Sequence, residues 1–303
     1  MHDSKMSYRG RFAPSPTGPL HFGSLIAAVG SYLDARRNGG AWLLRIEDLD
    51  RPREVEGAAD AILGTLDACG FEWDGEVVRQ SRRDPLYAAA LERLQRGGAV
   101  FPCACTRREI ADSSLDEGSE PVYPGTCRNG PPTGRPARAV RVRVDDALID
   151  FQDRLQGRIE QNLAREVGDF VVRRADGLFA YQLAVVVDDF EQGITDVVRG
   201  ADLLGSTPRQ ILLQRRLGYP TPRYAHLPVA VNRFGQKLSK QTLAAPVLPV
   251  RPSEQVWRAL RFLGQDPPEG LAAGSVEDLW TWAIGNWDTQ KIPARLAIES
   301  EGS

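Results

Sequence analysis

Lysine is scarce in this chain. Against 34 arginines there are four lysines, Lys5, Lys237, Lys240 and Lys291, and two of them stand three residues apart. Cysteine is sparse as well, and four in 303 residues do not make the disulfide framework of a small secreted scaffold. Long apolar runs are missing: stretches such as Leu183 to Val187 fall far short of the ~20 residues that a membrane span needs. The opening Met1-His2-Asp3-Ser4-Lys5 has no secretory core. Nor is there an excess of either charge. With 38 basic and 40 acidic side chains the net charge is −2, which excludes a strongly basic nucleic-acid binder but leaves room for a local basic face. At 42% hydrophobic and 26% charged, the composition excludes a disordered or collagen-like chain. The expectation is a soluble, cytoplasmic protein of about two domains, or one core with insertions.

The patterning predicts α/β architecture. Tyr8 to Phe12 is strand-like, and a breaker cluster of Pro14, Pro16, Gly18 and Pro19 follows. Phe22, Leu25, Ile26, Val29 and Leu33 then recur at helical spacing until Gly39-Gly40, and Ala41 to Ile46 reads as a buried strand ending in Glu47-Asp48. Strand, turn, helix, strand is a βαβ unit, the building block of parallel sheets. Two amphipathic helices follow, one carrying Val55, Ala58, Ala59, Ile62, Leu63 and Leu66 and stopped by Gly70, the other from Asp84-Pro85 to Gly97-Gly98. Between about Val100 and Asp169 cysteines cluster and Gly and Pro abound, as in an insertion. The α/β pattern resumes with Phe170-Val171-Val172, a turn at Ala175-Asp176-Gly177, and an apolar run from Phe179 to Val187 that reads as a strand ending in Asp188-Asp189. Ser206 to Leu217 reads as a helix, and after a Pro-rich linker two further helical patterns close the chain. In the second, Ser275 to Asp278 forms a capping box ahead of Trp280, Ala283, Ile284 and Trp287.

Two loops stand out chemically. The first, Arg11 to Ser24, lies between the first strand and first helix, where open α/β sheets bind ligands and helix N-termini offer N–H groups to phosphates. Gly18 and Gly23 let a nucleotide approach the backbone, and His21 and Ser24 can contact phosphate oxygens. The second, Phe234 to Gln241, puts Lys237, Ser239 and Lys240 in one Gly-containing loop, where cations can follow the charge that develops on transferring phosphates. Placing half of the lysines of the chain there by chance is improbable.

Together the loops resemble the two signatures of class I aminoacyl-tRNA synthetases, known as HIGH and KMSKS, in order, in setting and in their separation of ~210 residues. Arg11-Phe12-Ala13-Pro14-Ser15-Pro16-Thr17-Gly18, Arg45-Ile46-Glu47-Asp48 and Val198-Arg199-Gly200-Ala201-Asp202 resemble the glutamate-specific subgroup. Ser24 stands where the first class motif ends in His, and Lys237-Leu238-Ser239-Lys240-Gln241 varies the second, but neither change removes a group able to contact phosphate. The resemblance implies a Rossmann-like, doubly wound parallel sheet as catalytic core. It implies ATP bound by Gly18, His21, Gly23, Ser24 and Lys240, with His21, Lys237 and Lys240 catalytic and Mg²⁺ accompanying the nucleotide. A dicarboxylic amino acid needs two cations and one anion. Arg11 and Arg199 supply the bidentate guanidiniums, Glu47 the partner for the ammonium, Tyr181 and Ser15 hydroxyls, and Phe12, Ala13 and Pro14 the adjoining wall. Which arginine takes which carboxylate stays open.

Cys103, Cys105 and Cys127 lie within 25 residues of one another, a spacing that suits metal ligands better than a disulfide in a reducing compartment. No fourth Cys or His is near; Cys69 lies in an apolar helix and reads as a core thiol. The resembling family completes the set with a tyrosine, here Tyr123, around one structural zinc. Asp48, Asp50, Asp188 and Asp189 read as caps and turns at strand ends, and His226 as a packing residue.

Four segments are expected: a first half of the core at 1–99, a zinc-containing insertion at 100–168 that also meets the acceptor, a second half at 169–245, and a short helical tail at 246–303 without an anticodon-binding domain. A compact chain of this length has a radius of gyration of roughly 19 Å, too small to grip both tips of a tRNA. The resemblance is to a truncated branch of the glutamate-specific subgroup. It implies activation of L-glutamate by ATP without RNA, then transfer to the cyclopentenediol of queuosine at the wobble position of tRNA(Asp), by a monomer with no membrane partner. The rival readings are a small enzyme charging the 3′ end of tRNA(Glu), a non-catalytic RNA-binding module on a synthetase core, and a nucleotidyltransferase acting on a small molecule. Strict dependence on tRNA(Glu), failure to bind ATP, and glutamate-independent pyrophosphate exchange would respectively mark them.

Overall fold

The computed structural model describes residues 7–111, 122–146, 148–238, 247 and 250–300. Along the chain run β1 (Arg9–Phe12), α1 (Phe22–Arg37), β2 (Ala41–Ile46), α2 (Ala58–Ala68), β3 (Val78–Arg79), α3 (Asp84–Arg96), β4 (Val100–Cys103), α4 (Arg107–Ala111), β5 (Ala139–Val142), β6 (Leu148–Asp153), β7 (Gly157–Asn162), α5 (Leu163–Glu166), β8 (Val171–Arg173), α6 (Tyr181–Glu191), β9 (Asp196–Gly200), α7 (Thr207–Leu217), β10 (Arg223–Leu227), β11 (Val229–Val231), α8 (Pro252–Phe262), α9 (Val276–Asn286) and β12 (Ala297–Glu299). No helix among the described residues is long and apolar enough to cross a membrane.

β1 pairs in parallel with β2, Arg9 opposite Ala41 through Phe12 opposite Leu44, and β2 continues in parallel to β3. β9 pairs in parallel with β10, which meets β6 at Tyr224 and Asp153; β7 is an antiparallel hairpin partner of β6. The two groups are stitched where the Thr195 N–H donates to the Arg9 carbonyl at 2.9 Å. The two sheets, 3-2-1 and 9-10-6-7, thus meet edge to edge at β1 and β9, and across this junction the strands run 3-2-1-9-10-6-7. The connections leave β1 in one direction and enter β9 from the other, and at such a switch point the carboxyl ends of two neighbouring strands open a crevice. β4, β5 and β8 form a separate antiparallel sheet beside this core. β6, although it lies in the 100–168 segment, is part of the main sheet.

α1 is almost wholly buried because both of its faces are covered. Leu25, Ile26, Val29 and Leu33 sit in the first core together with Trp280, Trp287 and Leu260 of the closing segment. There Tyr32, Trp42, Phe71 and Trp280 pack ring against ring, with Tyr32 and Trp280 centroids 4.8 Å apart, and the Trp280 indole N–H donates to the Cys69 carbonyl at 2.8 Å. Cys69 is fully buried, and burial pushes its thiol up to about 11. Arg36 and Arg37 end α1 with the charge that suits a helix C-terminus.

One element differs in kind from expectation. The run Phe179 to Val187 is not a strand: α6 begins at Tyr181 and carries the chain through Asp188 and Asp189. Leu183 to Asp189 are all buried, and a segment apolar on every side has no period from which to tell a core strand from a core helix. The valines argued for a strand, but the surroundings decided otherwise. The edge toward the crevice is instead β9, five residues beyond the helix.

Candidate active site

A cleft of about 870 Å³ opens at the carboxyl ends of β1 and β9. It is lined by Arg11, Phe12, Ala13, Pro14 and Ser15 from the end of β1 and the loop after it, and by His21, Gly23 and Ser24 from the start of α1. Glu47 beyond β2, Tyr181 opening α6, Arg199 in β9 and Lys237 complete the ring of predicted side chains. Gly18 is not among the lining residues; its φ of +137° is a conformation that glycine adopts readily within the loop. Lys240 and Ser239 lie outside the described residues.

His21 is the N-cap of α1. Its Nδ1 accepts from the Ser24 N–H at 3.3 Å, which leaves the Nε2 proton for the Ser24 hydroxyl at 3.0 Å. Gly23 answers a close approach: a Cβ there would lie 3.1 Å from the Leu238 carbonyl oxygen and 3.2 Å from the His21 ring. The absent side chain thus lets the lysine-bearing loop come against the first turn of α1. Lys237 is held by a 2.6 Å ion pair with Asp202, in the 3₁₀ turn that follows β9.

The acidic and basic side chains under the cleft form one buried network. Arg11, only 4% exposed, donates to both Asp189 carboxylate oxygens, at 3.2 and 3.4 Å. Arg45, fully buried in β2, donates to Asp189 at 2.7 Å, while Asp188 accepts from Gln80, Arg83 and Tyr87. Burial alone would raise the Asp189 carboxyl, but Arg11 and Arg45 outweigh it and hold the group below the ordinary carboxylate range. Asp188 and Asp189 are therefore neither caps nor turns. They are ion-pair partners of arginines far away in sequence, and their place in a helix is what lets them reach two strands. Asp48 likewise holds a distant segment, accepting from the Ser81 N–H and hydroxyl. Glu47 lies beside this network with its carboxyl pushed by burial up to about 7, Arg45 and Arg11 opposing the rise.

Arg199 is also nearly buried and sits at the opposite side of the ring, donating to Tyr181 Oη at 3.3 Å and Thr207 Oγ1 at 2.8 Å. His226 does pack in the core as a fully buried residue, yet it is also a polar partner of Arg199, at 3.1 Å from Nε. Two guanidiniums and one carboxyl thus converge on one crevice, next to the N-terminus of α1. A zwitterion with a second carboxylate fits the first set, and a phosphate chain the second.

Away from the cleft, the Sγ atoms of Cys103, Cys105 and Cys127 lie within 4.8 Å of one another. Cys105 and Cys127 are 3.6 Å apart, and Tyr123 Oη is 3.5 Å from Cys103 Sγ and 3.7 Å from Cys105 Sγ. Bonds of about 2.3 Å in a tetrahedron require ligand separations of about 3.8 Å, so this donor set fits a metal ion. Arg141 donates to Cys103 Sγ at 3.3 Å and lies 4.0 Å from the centre of the Tyr123 ring, a cation beside donors that turn anionic when they ligate.

Residues 7–251 match the catalytic-domain model described as tRNA synthetases class I (E and Q). The glutamyl-Q tRNA(Asp) synthetase of Aromatoleum aromaticum is 60% identical over 99% of this chain and 95% of its own length. That of Dechloromonas aromatica is 63% identical over 96% of this chain and 97% of its own. The crystal structure of a glutamate tRNA ligase from Elizabethkingia meningosepticum, in complex with its amino acid, superposes with a TM-score of 0.80 at 26% identity, over 98% of this chain and 67% of that one. A strand order with its switch point between β1 and β9, two signature loops held together at the start of α1 and near-full-length identity to these relatives place the chain in the glutamyl-Q tRNA(Asp) synthetase family of class I.

Proposed function

We propose that this chain activates L-glutamate with ATP in the absence of RNA and passes the glutamyl group to the cyclopentenediol of queuosine at the wobble position of tRNA(Asp). The observation that carries the reading is the convergence of Arg11, Arg199 and Glu47 on one crevice, beside the N-terminus of α1, in a chain so similar to synthetases of that name. The α-carboxylate is ionised at neutral pH and needs no general base to attack the α-phosphorus of ATP. Arg11 and Arg199 grip the carboxylates, Glu47 faces the ammonium, and Tyr181 and Ser15 supply hydroxyls. The N-terminus of α1, the His21–Ser24 pair and the lysines of the second loop face the charge that moves onto pyrophosphate. Ser24 lines the side of the cleft given to the nucleotide, Gly23 lets the second loop close against α1, and Gly18 shapes the turn of the first loop. Mg²⁺ bound with ATP neutralises phosphate charge. Positioning and electrostatics carry the reaction, so no covalent intermediate on the protein is involved. Cys103, Cys105, Tyr123 and Cys127 hold one Zn²⁺ whose role is structural: the set is closed and stands apart from the cleft.

The test is glutamate-dependent exchange of pyrophosphate into ATP with no RNA present, followed by transfer of labelled glutamate to queuosine-containing tRNA(Asp). Lys240→Ala should abolish exchange in a folded protein. Exchange that requires tRNA(Glu), or label on the 3′ end of a tRNA, would overturn the reading.

A further inference from the structure

Arg199 is braced from behind by two side chains that do not line the cleft. Its Nε donates to His226 Nε2 at 3.1 Å, and His226 Nδ1 lies 2.6 Å from Asp153 Oδ2. Both supporting side chains are fully buried. An arginine Nε always bears a proton, so His226 Nε2 must be the accepting nitrogen. The imidazole proton then belongs on Nδ1 and is donated to Asp153. Asp153 is itself fixed, because its Oδ1 accepts the N–H groups of Leu155 and Gln156 at 3.0 and 2.9 Å and that of His226 at 3.2 Å. The register of β10 against β9, with His226 opposite Arg199, and the contact of β10 with β6 set the three residues side by side. Thr207 Oγ1 stands 3.2 Å from the same His226 nitrogen and takes the Arg199 Nη2 proton. Arg199 therefore keeps a single orientation, with Nη1 turned to Tyr181 at the cleft.

The geometry points to Asp153 and His226 as positioning residues for Arg199: the carboxylate fixes the Nδ1–H tautomer, the bare Nε2 aims the guanidinium, and together they set the affinity for the amino acid but not for the nucleotide. This rests on the proposed role of Arg199 as a grip for a glutamate carboxylate. Asp153→Asn keeps an oxygen for the turn while presenting an N–H to Nδ1. The imidazole must then carry its proton on Nε2, where it opposes the Arg199 Nε–H, by the same logic through which an Asp-to-Asn change in a catalytic triad yields the wrong tautomer. His226→Leu removes the acceptor, and His226→Gln restores one.

In RNA-free exchange assays, Asp153→Asn and His226→Leu should raise KM for glutamate about tenfold or more, the loss that follows removal of one hydrogen bond to a charged group. KM for ATP should stay within about twofold. His226→Gln should fall between Leu and wild type. Imidazole ¹⁵N resonances of the wild-type protein should show Nδ1 protonated and Nε2 bare at His226. A wild-type proton on Nε2, unchanged glutamate KM in the folded variants, or equal increases in both KM values would overturn the inference. If Arg199→Ala raises the glutamate KM and Asp153→Asn does not, this inference fails alone. If the wild type shows no glutamate-dependent exchange, or Arg199→Ala leaves glutamate KM unaltered, the functional reading fails and takes the inference with it.

Discussion

Glu47 meets the cleft with a carboxyl that burial pushes up to about 7, so it is part-protonated near neutrality before the amino acid arrives. An incoming ammonium favours the carboxylate, and binding therefore expels a proton. KM for glutamate should fall as pH rises from about 6 to about 8. Glu47→Gln should raise KM and flatten that dependence, measured by exchange at several pH values. The same shift has an opposite sign for stability. Between the ordinary 4.5 and about 7 the folded chain holds the proton more tightly than the unfolded one, so this group's contribution is fully present at low pH and declines as pH rises through that window. Chemical denaturation of Glu47→Gln should lack that component. At this scale the sequence named Arg11, Glu47 and Arg199, because each sits in a segment that resembles a known subgroup, and Tyr181 for its hydroxyl, but it did not name their supports. Asp189 stands 178 residues from Arg11, and Asp153 stands 73 from His226. No local spacing encodes such pairs. The one residue of the supporting pair at Arg199 that the sequence singled out, His226, was read as packing alone.

Helix α6 is the element whose nature mattered most. A strand ending at Asp189 would place Asp188 and Asp189 on opposite faces and could not gather Arg11, Arg45, Gln80, Arg83 and Tyr87 around adjacent residues. Removing Asp189 takes from buried Arg11 the carboxylate it donates to and leaves Arg45 only the longer contacts with Asp188 and Glu47. Asp189→Ala should therefore cost about 3–5 kcal/mol of unfolding free energy, read from denaturant midpoints, with loss of amino-acid binding as well. The βαβ opening was legible from its period and its Pro/Gly loop, and so was the first turn of α3. The all-round apolar run was not, since burial on every side erases the period. In the cysteine segment, Gly168 adopts φ +70°, and a Cβ there would lie 2.8 Å from the Tyr123 nitrogen. On the proposed zinc site, Gly168→Ala should displace Tyr123 and lower the zinc retained after dialysis, and Cys127→Ser should lower it further, both read by metal analysis of the purified protein.

Over the whole molecule, charge is balanced while the cleft is not: the net charge of −2 conceals the guanidiniums gathered at one crevice. Activation involves only small molecules, but acceptance involves a polyanion. Raising salt from about 50 to about 200 mM should leave glutamate-dependent exchange nearly level and depress transfer to tRNA(Asp) steeply, since only the second step releases counterions from RNA. The order of strands 3-2-1-9-10-6-7 follows from the pattern of elements only once the β1 edge is seen to meet the β9 edge, a contact between residues far apart in sequence that composition does not announce.

That junction, together with the arginines of β1 and β2 clasping a carboxylate on α6, means that the two portions of the core are fastened by contacts that owe nothing to the peptide linking them. A gene divided within 112–121, with both pieces expressed in one cell, should yield fragments that find each other, elute as a single species and rebuild the crevice between them. Asp189→Ala in one fragment should undo that reunion.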